Sequence, residues 1–263
     1  MSTDVSRPLP LITRSTDLLQ RAESLIPAAT QTLAKGPGQH VRGVSPVFAQ
    51  RAKGAHLWDV DGNVYLDYTM AVGPVILGYG HAAVDEAITS QLQDGITFSL
   101  VHPLEVEVAE LLHEIVPNAE MFKFSKTGCD VTSAAVRLAR AHTGRSTVLC
   151  CGYHGWHDWY IGVTDRSAGI PSVVRDSTFT FGFNDMDSVV RSIDDDTAAI
   201  ILEPLVFDLP SATFLHELRS LCDDRGIVLI FDEMWTGFRV AFGAAQERFG
   251  VRADLLCFSK AVS

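Results

Sequence analysis

The sequence has little cysteine, no long apolar run and no stretch dominated by basic residues, and each shortage removes a class of protein. Its five cysteines, Cys129, Cys150, Cys151, Cys222 and Cys257, are odd in number and never fall in CxxC spacing. Most sit in apolar, strand-like surroundings, which favours reduced core thiols over disulfides or zinc ligands. No apolar run approaches the roughly 20 residues that span a bilayer. The opening "MSTDVSRPLP" also lacks the apolar stretch of a signal peptide. A membrane setting is therefore not expected, and a cytoplasmic one is. The net charge of -11 arises from scattered acids, with Asp194, Asp195 and Asp196 the only short run. Without a basic stripe, nucleic acid is not an expected partner.

What is present is enough apolar material for a core: 47% of the 263 residues are hydrophobic and 20% charged, the balance of a folded rather than a disordered chain. Residues 1–70 read as an arm, a helix and a hairpin. From Ser15, "STDLLQRAESLI" shows a serine N-cap and helical spacing of Leu18, Leu19, Ala22 and Leu25. "HLWDVDGNVYLDY" alternates on both sides of Asp61-Gly62-Asn63, a hairpin signature. Residues 71–263 form the larger domain. It begins with helices at "AVDEAITSQLQ" and at "LEVEVAELLHEIV", where Leu104, Val108, Leu111, Leu112 and Ile115 share a face.

From residue 120 short apolar strands alternate with helices. The strands are "MFKFS", "STVLCC", "AAIILEP", "IVLIF" and "LLCFS"; the helices include "DVTSAAVRLARAHTG" and "TFLHELRSLCDDRG". This alternation predicts an α/β fold with a largely parallel sheet and flanking helices. In such sheets ligands bind beyond the C-terminal strand ends. Reading each strand to its end gives Thr127-Gly128-Cys129, Tyr153-His154-Gly155, Glu203-Pro204, Asp232-Glu233 and Lys260.

Each of these has a plain alternative. Gly128 either permits a tight turn or opens a helix whose free amides favour a phosphate. Asp130 is either a cap or part of that site, Tyr153 either a packing residue or the cover of a flat ring, and Glu203 before a proline either a strand terminator or a site carboxylate. His154 and His157 lie three apart without further ligands, so no metal site is assigned. Asp232, leaving an apolar strand, requires a cationic partner. It and Lys260 form either a structural ion pair or two separate contacts to one cofactor. A desolvated lysine forms a Schiff base with an aldehyde, and a buried carboxylate keeps a pyridine nitrogen protonated.

At these residues the sequence resembles a known family. "AKGAHLWDVDGNVYLDY", "TGCDVTSAAVRLARAHTGR", "GYHGWHDWY", "LEP", "FDEMWTGFR" and "DLLCFSK" are similar, in order and spacing, to motifs of the class III aminotransferases, fold type I pyridoxal-phosphate enzymes that include glutamate-1-semialdehyde aminomutase. The resemblance implies pyridoxal 5'-phosphate as cofactor. It makes Lys260 the cofactor lysine and pairs Asp232 with the pyridine nitrogen. Gly128 and Cys129 would hold the phosphate, Tyr153 would lie against the ring, and Glu203 would help position it. It further implies an amino donor and a carbonyl acceptor as substrates, a homodimer, and a chain that continues past Lys260 into a C-terminal small domain absent here.

Two positions depart from the aminomutase pattern. Phe48 stands where an arginine receives the substrate carboxylate, and Cys129 replaces the more usual hydroxyl residue. The expectation is an aminotransferase acting on a sugar or biosynthetic intermediate. The alternatives are the aminomutase itself and a truncated, catalytically silent homologue acting as a scaffold.

Overall fold

The computed structural model of the protein describes residues 9–116, 118–205 and 207–262. They belong to two compact units, Met1–Thr97 and Phe98–Ser263. The sequence reading places its division at residue 70, but the segment after it bonds back to the hairpin. Gly54 and Tyr79 form a bridge, the Tyr79 hydroxyl donates to Asp67, and Lys53 Nζ donates to the Gly80 carbonyl.

In the first unit, helix α1 spans Thr13–Leu25 and buries Leu19 and Ala22 against Ala29, with Val47 and Phe48 packed alongside. Leu25, which the helical spacing groups with Leu18, Leu19 and Ala22, stays exposed. Ser15 is not the N-cap: it is buried inside the helix, where its Oγ accepts from the Val47 amide at 3.0 Å. Asp61 of the hairpin turn fills the capping role, accepting from the Arg14 and Ser15 amides at 2.8 and 2.9 Å. A carboxylate is the stronger partner for the positive end of a helix, and tertiary folding brings it there. Strands β1 (Ala49–Lys53), β2 (His56–Asp59) and β3 (Val64–Leu66) form the antiparallel sheet that contains the expected hairpin. Helix α2 (Ala82–Asp94) follows, as its periodicity predicts.

The second unit opens with α3 (Pro103–Ile115), which buries none of its residues. Then come α4 (Gly128–Thr143), β4 (Thr147–Cys151), the short α5 (Asp158–Ile161) and α6 (Ser172–Arg175), and β5 (Thr178–Thr180). After these lie α7 (Met186–Ser192), β6 (Thr197–Leu202), α8 (Phe214–Arg225), β7 (Val228–Asp232), α9 (Ala244–Phe249) and β8 (Leu255–Cys257). The five strands pair in parallel, in the order β5-β4-β6-β7-β8.

Alternation along each strand sends residues to two cores. Val148, Cys150, Ala199, Ile201, Val228 and Ile230 meet Ala135, Val136 and Ala139 of α4. Leu149, Ile200, Leu202, Leu229 and Phe231 meet Phe214, Leu215 and Leu218 of α8. Burial on both faces explains why these strands read as continuous apolar runs.

One predicted strand is missing: "MFKFS" (121–125) forms no strand. An apolar run becomes a strand only where a neighbour completes its ladder, and among the described residues the sheet ends at β8 on one side. The other edge is β5, which the sequence reading did not anticipate.

Candidate active site

Because β4, β6, β7 and β8 run parallel, their C-terminal ends lie along one edge of the sheet. Glu203 follows β6, Asp232 is the last residue of β7, and Lys260 begins a short 3₁₀ turn just after β8. Packing of α4 onto this sheet carries Gly128 and Cys129 to the same edge without the missing strand, and Tyr153 follows β4. The electrostatic neighbours of Lys260 are Asp232, Glu203, Arg239 and Cys129, in that order of effect. All six predicted site residues therefore belong to one region.

Asp232 is buried, and its Oδ2 lies 2.8 Å from His154 Nδ1, with both side chains wholly shielded from solvent. A carboxylate can only accept, so this contact requires the proton on Nδ1. The second oxygen, Oδ1, accepts from the Met234 amide at 3.1 Å. The partner that the sequence demanded for Asp232 is thus a histidine, a residue weighed there only as a metal ligand. The His154 ring stacks on Trp159 and meets Tyr160 edge-on at centroid distances of 6.1 and 5.2 Å, which fixes its orientation.

Glu203 is also buried; its Oε2 accepts from the Tyr153 amide at 2.8 Å, while Oε1 has no partner among the described residues. Burial raises its pKa above the ordinary carboxylate range despite that bond. Gly152 makes room for it: with φ of +113°, a Cβ there would stand 2.5 Å from Oε2. Gly155, with φ of +110°, does the same for Cys129, whose Sγ lies 2.6 Å from where its Cβ would be.

At the start of α4, Thr127 Oγ1 accepts from the Asp130 amide and Asp130 Oδ2 accepts from the Thr127 amide, at 3.3 and 2.9 Å. This reciprocal cap settles the role of Asp130. It leaves the first-turn amides of Gly128 and Cys129, which a helix cannot satisfy internally, for an anion. Tyr153 is half-exposed and packs edge-on against Tyr160 at 5.6 Å, and burial raises its hydroxyl pKa. Burial lowers the Lys260 amine below the ordinary lysine value, with Asp232 and Glu203 pulling the other way.

In the sequence, Glu233 stands out only as the residue after Asp232. It is fully buried, accepts from the Ala245 amide at 3.0 and 3.1 Å and from the Thr236 hydroxyl, and so ties the turn after β7 to the start of α9. Burial pushes its pKa up from 4.5 to about 7. Between those pH values the native state holds a proton that the unfolded chain has released. Stability from this group is therefore fully present below pH 4.5 and declines as pH rises through about 7. The loss is at most about 3 kcal/mol. Glu233→Gln should flatten that decline. Denaturant unfolding at about pH 5 and about pH 8 checks it, and equal pH dependence in both proteins would show that the carboxyl contributes nothing.

Nothing in the local sequence marks Glu233 or His154 as special, since their partners lie 12 and 78 residues away. Phe48 packs in the first unit against Leu19, Ala22 and Ala29, so its ring serves a core.

The sequence profile described as Aminotransferase class-III matches residues 39–263. The 3-aminobutyryl-CoA aminotransferase of Cloacimonas acidaminovorans is 36% identical over 96% of this chain and 62% of its own length. A glutamate-1-semialdehyde 2,1-aminomutase of Chloroflexus aurantiacus is 39% identical over 94% of this chain and 61% of its own. Among solved structures, the pyridoxal-phosphate internal aldimine form of the Sphingopyxis sp. MTA144 FumI protein superposes with a TM-score of 0.87 at 35% identity, covering 94% of this chain and 61% of that one. An omega-transaminase from Sphaerobacter thermophilus gives 0.84 at 30% identity, with the same coverage. The chain thus spans about three-fifths of the length of these relatives. The shared architecture is the expected fold-type-I transferase fold, and with the profile match across its site motifs the chain belongs to the class III aminotransferase family.

Proposed function

We propose that the full-length protein is a pyridoxal-phosphate-dependent aminotransferase. The observation that carries this reading is the fully buried Asp232–His154 pair at the end of β7, beside a half-buried lysine at the end of β8.

The residues present fit the cofactor. The free amides of Gly128 and Cys129 suit its phosphate, Asp232 its ring nitrogen, Lys260 its aldehyde, and Tyr153 and the unpartnered Glu203 Oε1 its ring periphery. When bound, pyridoxal phosphate supplies an aldehyde that captures amines and a ring that draws electrons from the adjacent carbon. Asp232, oriented by the Nδ1–H of His154, keeps the ring nitrogen protonated. Lys260 Nζ, depressed by burial, is a base able to take the proton from the substrate's amine-bearing carbon and return it as an acid at the acceptor carbon.

The substrates are an amino-acid donor and a carbonyl acceptor. With Phe48 where aminomutases carry arginine, we favour a neutral or bulky acceptor. The core position of Phe48 means that this preference rests on the missing charge and not on its ring. The aminomutase is the second reading, favoured by relatives of that name at 39% identity.

A homodimer is part of the proposal: Phe98, Leu100, Val101, Leu104, Val106 and Leu111 all stand exposed, apolar side chains that a second copy of the chain would cover. Free cysteines support a reducing, cytoplasmic setting. No described helix is long and apolar enough to cross a membrane.

Single-turnover spectra of the full-length, cofactor-loaded protein against amino acids, keto sugars and glutamate-1-semialdehyde test the function. Conversion with an amino-acid donor and a neutral carbonyl acceptor is expected. Conversion with glutamate-1-semialdehyde alone would establish the aminomutase, and none at all would leave the silent homologue.

A further inference from the structure

The turn after β7 carries a second feature of the site. Trp235 lies three residues past Asp232, in the segment that Glu233 ties to α9. The turn is further braced by Arg239 Nε, which donates to the Trp235 carbonyl at 2.9 Å. Lys260 Nζ stands over the Trp235 ring, 4.3 Å from its centroid.

An indole face attracts an ammonium through the ring quadrupole and has no comparable attraction for a neutral amine. We propose that Trp235 is a positioning residue for Lys260, its ring face holding the lysine Nζ in place whenever that nitrogen carries a proton. This rests on the reading of Lys260 as the cofactor lysine, whose amine must alternate between protonated and neutral forms.

The groups facing Nζ set the scale of the effect. Asp232 at the end of β7 and Glu203 at the end of β6 favour the ammonium. Burial and Arg239, on the Trp235 turn itself, disfavour it, and Cys129 of α4 has a small favourable effect. The ring adds a favourable contribution that is short-ranged and directional, so it fixes where the nitrogen sits as well as its charge. Ring contacts of this kind lose about half to one and a half pH units of amine basicity on removal.

The test uses the cofactor-free full-length protein, so it does not depend on turnover. Reductive methylation with formaldehyde and cyanoborohydride across a pH series, followed by peptide mass spectrometry, gives a half-titration pH for Lys260. Lys123 and Lys126 serve as internal references. Trp235→Leu is expected to lower the Lys260 value by about one unit while leaving the references unmoved. Trp235→Phe, which keeps a ring face, should restore most of it. An unchanged value in Trp235→Leu overturns the proposal, as does an equal drop in both variants. Should the leucine variant fail to fold, the phenylalanine and methionine variants make the same comparison.

Borohydride trapping of pyridoxal phosphate on the wild-type protein is run in parallel. A shift without trapping would refute the cofactor reading and leave the ring–lysine pairing standing; trapping without a shift would do the reverse.

Discussion

Replacing Lys260 with alanine in the full-length protein should abolish covalent capture of pyridoxal phosphate and leave the fold intact. The wild-type protein should be yellow and should yield, on borohydride reduction, a cofactor adduct that maps to the peptide containing Lys260. The variant should yield none at that site, and its amino-transfer rate should fall by at least about a thousandfold, since both the covalent anchor and the proton carrier are lost. Stability should not suffer. Lys260 lies in the 3₁₀ turn after β8 rather than in the sheet, and burial already disfavours its charge. Circular dichroism matching wild type, with no adduct at residue 260, is the expected pair of results. A reducible adduct that persists in the same pocket would sink the assignment.

Asp232→Asn should separate binding from chemistry. The amide oxygen can still accept from the His154 ring or the Met234 amide, so the cofactor should remain bound. The lost charge can no longer hold a proton on the ring nitrogen. Removing such a buried, charge-assisted contact costs about 3–5 kcal/mol, or roughly two to four decades in rate. Cofactor content close to wild type with a rate at least about a hundredfold lower is the expected outcome. Activity within about threefold of wild type would mean that the carboxylate only braces His154. The pair is sealed from solvent on both sides, so bulk ionic strength should not soften the effect.

Much of this architecture is legible in local patterns. β4, β6, β7 and β8 and helices α4 and α8 all lie where their apolar runs and periodicities predict. The reason is physical: a strand buried on both faces and a helix with one apolar stripe carry their environments in their own residues. The hairpin around Gly62 is equally local, since a left-handed glycine beside Asn63 closes it. The failures have one cause. "MFKFS" has the composition of a strand, and Ser15 that of an N-cap, but a ladder and a cap are each completed by distant groups that composition does not record.

The candidate site divides along the same line. Parallel βαβ alternation by itself placed Tyr153, Glu203, Asp232 and Lys260 at or just past strand ends, because in such a sheet every strand delivers its next residues to one edge, whereas Gly128 and Cys129 reach that edge through the packing of α4 and not through the strand expected before them. It also required Asp232 to have a partner, because a carboxylate leaving an apolar strand is costly alone. Which partner was beyond it. His154 meets Asp232 across 78 residues, Glu233 reaches the Ala245 amide, and the Trp235 ring lies under the Lys260 nitrogen, all through the register of neighbouring strands and the tilt of the turns after them. Burial, which pushes Glu203 and Glu233 up and Lys260 down, is likewise a property of the packed sheet. Residue type sets what chemistry a side chain can perform, while its neighbours and its distance from water set the protonation state in which it performs it.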